Sequence, residues 1–332
     1  MDVASWFHDA VRALREADQH ELANALSSWS HEVTARHDAV VDARYPELLA
    51  AAKAAGNEWL ELYVRHWYSQ SLYLRERSSE LLDHALESLA LAQQPANQAC
   101  PQAVCTVQDA CMAYASCDGP TYVDHRLQLT ADAFARIDPT WECHVCLAAE
   151  EANALVDSGR VSEALVTVRR RIEDRTAAVG RLNTHDSTVL ARWLAASGDP
   201  AGALAMLQPK GTEYPFAAER SITRALAHLA LGDPAAAATA LPPSADARGD
   251  GEYARWIEAH DQLVQAGIRD NTWPEAATLH AYVVGLVRQG ASWRAFGLAE
   301  RAVRLAADRG ARASAAAALA LMRAAQATLA EP

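Results

Sequence analysis

The sequence predicts an all-α protein built from antiparallel helix pairs. Three observations predict this class: hydrophobic residues form 51% of the 332 residues with alanine prominent among them, alternating Val, Ile and Thr runs are lacking, and Gly-, Asp- or Pro-marked turns recur between amphipathic stretches. Alanine has the highest helix propensity, whereas strands favour β-branched and aromatic residues. We therefore expect helices throughout and no substantial β-sheet.

The first 56 residues are expected to form N-terminal capping helices that precede a repeat array. Two amphipathic helices are predicted up to residue 44, with a boundary at Tyr45-Pro46, because the residue before proline is pushed out of the helical region. Pro46 then suits the first turn of a helix that stops at Gly56. Asn57 is placed to cap the next helix.

Residues 57–308 are expected to form the array of helix pairs. Turns near positions 76–77, 118, 159, 198, 232 and 290 are spaced by about 41, 41, 39, 34 and 58 residues, a range typical of helical solenoids. The longest spacing contains an inserted loop and helix at 241–274. An Ala-rich helix at 309–332 is expected to cap the C-terminal end.

The helix pairs resemble the tetratricopeptide repeat family. Around the central turn, Gly159 matches the turn glycine of that family, Ala152 and Leu155 match its first helix, and Ala164 and Leu165 match its second. The resemblance implies a right-handed α-solenoid, a superhelix whose concave face is lined by the first helix of each pair. It also implies a non-enzymatic scaffold or adaptor that binds a protein or peptide in this groove, without a cofactor.

Groove positions carried over from the family give a mixed set of aromatic, amide and charged side chains. This mixture suits hydrogen bonding to a peptide backbone together with aromatic contacts. The candidate partner-binding residues are Tyr63, His66, Trp67, Gln70, Tyr73, Gln108, Asp109, Met112, Glu150, Asn153, His185 and Arg192.

The helix at 57–75 is the most unusual stretch, since it is rich in Trp and Tyr in a chain that is only 7% aromatic. These aromatic side chains suit a partner, and they equally suit packing against the N-terminal helices. Both interpretations stay open, because the aromatic residues occupy more than one face of a helix.

Net charge limits the partner classes. The formal charge is -12 and the isoelectric point is near 5.4. Nucleic-acid binding needs clustered Lys and Arg, so we expect no nucleic-acid partner and mildly favour a basic segment of a protein partner. No stretch reaches the roughly 18 apolar residues of a membrane span, so we expect a cytoplasmic protein without membrane contact.

Two other functions remain alternatives. The first is a regulatory sensor, in which the groove or the 241–274 segment binds a small ligand or signalling peptide and controls an effector protein. The second is a helical enzyme that uses His66, Asp109 and Glu150 on neighbouring helices. The phosphate-binding and nucleophile motifs GxxxxGK[ST], GxGxxG and GxSxG do not occur in the sequence.

The six cysteines all lie between positions 100 and 146. Buried reduced thiols in a cytosolic helical protein are the expected state, with a redox role as an alternative. Cys105 occupies the repeat position equivalent to Cys146, while Cys143 and Cys146 share a helical face. A zinc site needs four converging ligands, which this spacing does not indicate, so we predict no metal.

Overall fold

The computed structural model describes a defined part of the chain. These residues are 3–35, 37–75, 77–118, 121–158, 160–196, 199–207, 217–240 and 310–329, with 262, 264–266, 269–270, 300, 303–304 and 306–308. Within them the regular secondary structure is helical and no β-strand occurs, which confirms the all-α prediction. No helix in this part of the chain is both long and apolar enough to cross a membrane.

The helices are numbered here in chain order within the described residues. They are α1 (Val3–Glu16), α2 (His20–Thr34), α3 (Asp38–Ala54), α4 (Glu58–Leu74), α5 (Ser78–Ala92), α6 (Pro101–Asp118), α7 (Val123–Phe134), α8 (His144–Asp157), α9 (Val161–Val179), α10 (Thr184–Ala196), α11 (Pro200–Met206), α12 (Ala217–Ala230), α13 (Pro234–Ala240) and α14 (Arg312–Leu329), and a 3₁₀ turn (Pro95–Asn97) precedes α6.

The chain divides into two compact units. The first comprises Met1–Cys117 and Asp124–Glu150, and the second comprises Asp118–Val123 and Glu151–Pro332. This division falls within the residues predicted as one array, 57–308. The domain boundaries proposed from the sequence stay predictions.

Consecutive helices pack against each other in both units. In the first unit each helix from α1 to α4 contacts the next one along the chain, and in the second unit the same holds from α9 to α12. This arrangement confirms the consecutive helix pairing. The predicted turn near 232 lies between α12 and α13, and the one near 118 coincides with the end of α6. Positions 76, 159, 198 and 290 of the other predicted turns lie outside the described residues.

Local capping signals explain several of these helix ends. The side chain of Asn57 accepts hydrogen bonds from the backbone N–H groups of Trp59 and Leu60, both at 3.2 Å, so the predicted cap of α4 is confirmed. Asp233 caps α13 by accepting a bond from Ala236 N–H at 2.9 Å, and Pro234 begins that helix. Such a cap satisfies a backbone donor that has no partner within the helix.

The predicted helix boundary at Tyr45-Pro46 is wrong. Helix α3 runs through Pro46, and the break lies earlier, between α2 and α3. At that break His37 Nδ1 lies 2.6 Å from Glu32 Oε2, and the His37 backbone N–H bonds to the Glu32 carbonyl oxygen. Proline lacks an N–H and so removes one helical hydrogen bond. Packing on both sides of this position keeps the helix continuous, with Val41 and Leu48 buried.

The core of the first unit centres on Trp29 of α2, which is fully buried. Its indole Nε1–H donates to the carbonyl oxygen of Val64 in α4 at 3.1 Å, so the ring both fills the core and joins two helices. The buried residues of this cluster also include Leu26, Val33, Val41, Leu48 and Leu60.

The second unit contains buried arginines that bind across helices. Arg175 of α9 pairs with Asp186 of α10 at 2.9 Å, and both side chains are almost fully buried. Arg220 of α12 donates to Ser187 and Thr188 of α10 at 3.0 and 3.1 Å. These bonds satisfy buried polar groups that would otherwise be costly.

Replacing Trp29 with alanine is expected to lower the free energy of unfolding by about 3–5 kcal/mol, since a large buried side chain and its hydrogen bond are both lost. Chemical denaturation followed by circular dichroism measures this change. Val40→Ala on α3 is the control, because Val40 is 40% exposed and a substitution there is expected to change stability by no more than about 0.5 kcal/mol. Equal effects of the two substitutions would contradict the central role of Trp29.

Candidate functional site around helix α4

Helix α4 is surrounded by the rest of the first unit. Seven consecutive residues, from Leu60 to His66, are buried. Because 3.6 residues complete one helical turn, a buried run of this length means that every face of the helix is covered. Three of these residues, Glu61, Arg65 and His66, are polar or charged, so the covering helices must supply hydrogen-bond partners.

Helix α6 supplies the partner for one polar face of α4. His66 Nδ1 lies 2.9 Å from Asp109 Oδ2, and Gln70 Nε2 lies 2.7 Å from Asp109 Oδ1. Asp109 is fully buried. The Gln70 amide N–H donates to the carboxylate, and the His66 ring nitrogen contacts its other oxygen. The Gln70 amide also lies 3.9 Å from the sulfur of Met112, so these four side chains form one cluster.

The other polar face of α4 meets α5. Arg65 donates to Glu61 at 2.9 Å within the helix and to Glu87 of α5 at 3.3 Å. The backbone carbonyl oxygen of Arg65 lies 3.0 Å from His84 Nε2. The sequence alone could have predicted the Glu61–Arg65 pair, because opposite charges four residues apart lie next to each other on a helix.

Most aromatic residues of α4 pack against helices within the first unit. Tyr63 stacks on Phe7 with ring centroids 4.2 Å apart, and Tyr68 stacks on Tyr45 at 3.7 Å. Trp59 meets Trp6 edge to face at 5.7 Å. The packing interpretation of this helix is therefore confirmed for these rings.

The predicted partner-binding residues differ in accessibility. Those that are buried cannot meet a partner without a change in packing, and the half-buried ones keep part of their surface exposed. The buried residues are Tyr63, His66, Tyr73, Asp109, Met112 and Glu150, and the half-buried residues are Trp67, Gln70, Gln108, Asn153, His185 and Arg192.

The structure brings together only part of this set. One connected cluster forms in the first unit: Asp109 contacts both His66 and Gln70, and Gln70 also contacts Met112. Asn153, His185 and Arg192 belong to the second unit. The partner-binding role of each residue stays a prediction.

The catalytic alternative named His66, Asp109 and Glu150. His66 and Asp109 are in direct contact. Glu150 instead lies near Cys111. Asp109 and Cys111 point to opposite sides of α6, because two residues turn a helix by about 200°. Burial raises the pKa of the Cys111 thiol, and the negative charge of Glu150 raises it further, whereas the nearby Arg126 lowers it. Arg126 is fully buried on α7, and sequence reasoning missed it.

The described residues line an open pocket in the second unit and contain no metal-binding cluster. Among the described residues, no group of three or more His, Cys, Asp or Glu side chains is arranged to hold a metal ion. An open pocket of about 380 Å³ is lined by Gln262, Gln265 and Arg269 and by three alanines of α14. Most of the inserted 241–274 segment lies outside the described residues, so the sensor alternative stays a prediction.

Comparison with known protein families found no family model that matches the chain, and comparison with curated proteins found no significant sequence match.

The stability of the first unit is expected to fall as the solution becomes more acidic than pH 6.5, through His84. Burial lowers the pKa of His84 below its usual 6.5, and burial raises the pKa of Tyr45, which keeps its hydroxyl protonated. Tyr45 can then donate to His84 Nδ1, at 3.3 Å, while Nε2–H donates to the Arg65 carbonyl oxygen. The neutral His84 ring satisfies both hydrogen bonds, so the folded protein disfavours its protonation. Between the lowered pKa and pH 6.5 the unfolded chain therefore binds more protons than the folded protein, and the free energy of unfolding falls as the pH falls.

Urea unfolding at about pH 7.5 and about pH 5.5 checks this expectation. The wild type should lose more stability on acidification than His84→Gln, whose amide can donate and accept but does not titrate. Because the other histidines titrate in both proteins, the difference between the two pH dependences isolates His84. Identical pH dependences would show that His84 is not the responsible group.

Proposed function

We propose that this protein is a non-enzymatic module of the tetratricopeptide-like solenoid type that binds a protein or peptide along the first helices of its pairs. The consecutive packing of helices and the turns between them support this arrangement. One helix pair cannot bury its apolar face alone, so repeated pairs stack and present a row of first helices.

The observation that carries the proposal is the amide of Gln70, held at 2.7 Å by the fully buried Asp109. A buried charged cluster is a poor source of stability, because apolar residues of similar size are often as good or better. The Asp109 cluster instead restrains an amide that is itself only half-buried. An amide restrained in this way loses little side-chain entropy on binding.

The side chains next to this amide indicate the kind of partner. Trp67 lies three residues before Gln70, so the two share a face of α4, and both are half-buried. An aromatic ring beside an oriented amide suits a peptide that offers one apolar side chain and its backbone groups. The formal charge of -12 favours a basic segment, chiefly by raising the rate of encounter.

Selection of a displayed library of random 12-residue peptides tests the proposal. Selected peptides should carry a basic segment and bind the purified wild type, and Trp67→Ala or Gln70→Ala should weaken that binding by about 10-fold or more. Affinity should also fall with added salt. Asn153→Ala extends the test to the second unit.

Leu86→Ala is the matched control, because Leu86 lies on α5 of the same unit and is 37% exposed. This variant should bind as the wild type does. Circular dichroism and melting curves establish that each variant is folded. The proposal fails if the folded Trp67 and Gln70 variants bind the selected peptides as well as Leu86→Ala.

A further inference from the structure

A cluster of three thiols joins α6 to the beginning of α8. Cys105 Sγ and Cys143 Sγ lie 2.9 Å apart, although the residues are 38 positions apart in the chain. Cys143 and Cys146 form a Cys-His-Val-Cys sequence across the first turn of α8. All three belong to the first unit, and all six cysteines of the chain are thiols rather than disulfides.

The three thiols differ in access to solvent. Cys105 and Cys143 are 6% and 8% exposed, and they pack among Leu89, Val107 and Leu147. Cys146 is half-buried, so it is the thiol of this cluster that a dissolved reagent reaches most easily. Reagents therefore meet the cluster at Cys146, while the close pair lies deeper.

The pKa values of the buried thiols also indicate that they are less reactive than an accessible thiol. The contact with Cys143 raises the pKa of Cys105 well above its usual value, and burial raises it further. Burial also raises the pKa of Cys100 to about 11. Because the thiolate is the attacking species in exchange reactions, such buried thiols react slowly with an external oxidant. We therefore expect an external oxidant to oxidise the Cys105–Cys143 pair through a more accessible thiol.

We propose that Cys105, Cys143 and Cys146 form a thiol–disulfide redox site, in which Cys146 reacts with a low-molecular-weight disulfide and the oxidation is stored as a Cys105–Cys143 disulfide. A disulfide bond of about 2.05 Å requires the two sulfurs, now 2.9 Å apart, to approach by only about 0.9 Å. A reversible disulfide of this kind is compatible with a reducing compartment.

The exchange proceeds in three balanced steps. The Cys146 thiolate attacks one sulfur of the oxidant, forms a mixed disulfide and releases one small thiol. Cys143, as its thiolate, then displaces the second small thiol and forms a disulfide with Cys146. Finally Cys105 attacks the Cys143 sulfur, and Cys146 leaves and takes up the proton that Cys105 loses. In total, two protein thiols give two electrons and two protons to the oxidant, which becomes two thiols.

Oxidation of the full chain with glutathione disulfide tests the proposal. The protein is quenched with an alkylating reagent, digested with an aspartate-directed protease and sequenced by tandem mass spectrometry. We expect one intramolecular disulfide between Cys105 and Cys143, which dithiothreitol reverses. The oxidised protein should melt at a higher temperature, because the new bond restricts the unfolded chain.

Variants separate the roles of the three thiols. Cys105→Ala or Cys143→Ala should abolish this disulfide, and Cys146→Ala should slow its formation about 10-fold or more. Cys111→Ala, which removes another buried thiol of α6, should oxidise at the wild-type rate. The rate comparisons use proteins in which the exposed Cys117 is replaced by alanine, so that its modification does not interfere, and the wild type is also oxidised unaltered.

Three results would overturn the proposal. The first is a natively folded wild type that forms no Cys105–Cys143 disulfide in oxidising glutathione, and the second is a disulfide that forms only after urea unfolding. The third is an unchanged oxidation rate in Cys146→Ala, which would remove the entry role of Cys146. Because the first two concern the wild type alone, a variant that fails to fold does not affect them.

Discussion

The first unit depends on the burial of α4 from Leu60 to His66. A helix that is covered on every face must satisfy each polar side chain within the protein, since water does not reach it. Arg65 pairs with Glu61 within the helix and also reaches Glu87 of α5, while His66 contacts Asp109 of α6. These partners fix the rotation of α4 and the register of its neighbours more narrowly than apolar contacts would, because hydrogen bonds are directional.

This constraint also decides which side chains of α4 keep exposed surface. Tyr63, Tyr68 and Trp59 are used in ring contacts with α1 and α3. Trp67 and Gln70 remain half-buried at the end of the buried run. Recognition at this edge would thus be supported by a cluster that has already been ordered during folding, which lowers the entropic cost of binding.

Predictions from local sequence signals succeeded where the signal acts within a few residues. Asn57 caps α4 as predicted, because a cap needs only a side chain and the next backbone turn. Pro46 is the exception. Its local preference for a helix start is overridden by buried residues on both sides of it, and those contacts come from distant parts of the chain.

The sequence by itself determined the helical class, the pairing of consecutive helices and the turn near 232, since propensity, periodicity and capping are properties of neighbouring residues. Only the tertiary structure decided which side chains meet. Equivalent repeat positions linked Cys105 with Cys146, yet Cys105 contacts Cys143, and His66 meets Asp109 across two helices. Such contacts depend on the rotation and axial shift of packed helices, and a change of one residue turns a helix face by about 100°.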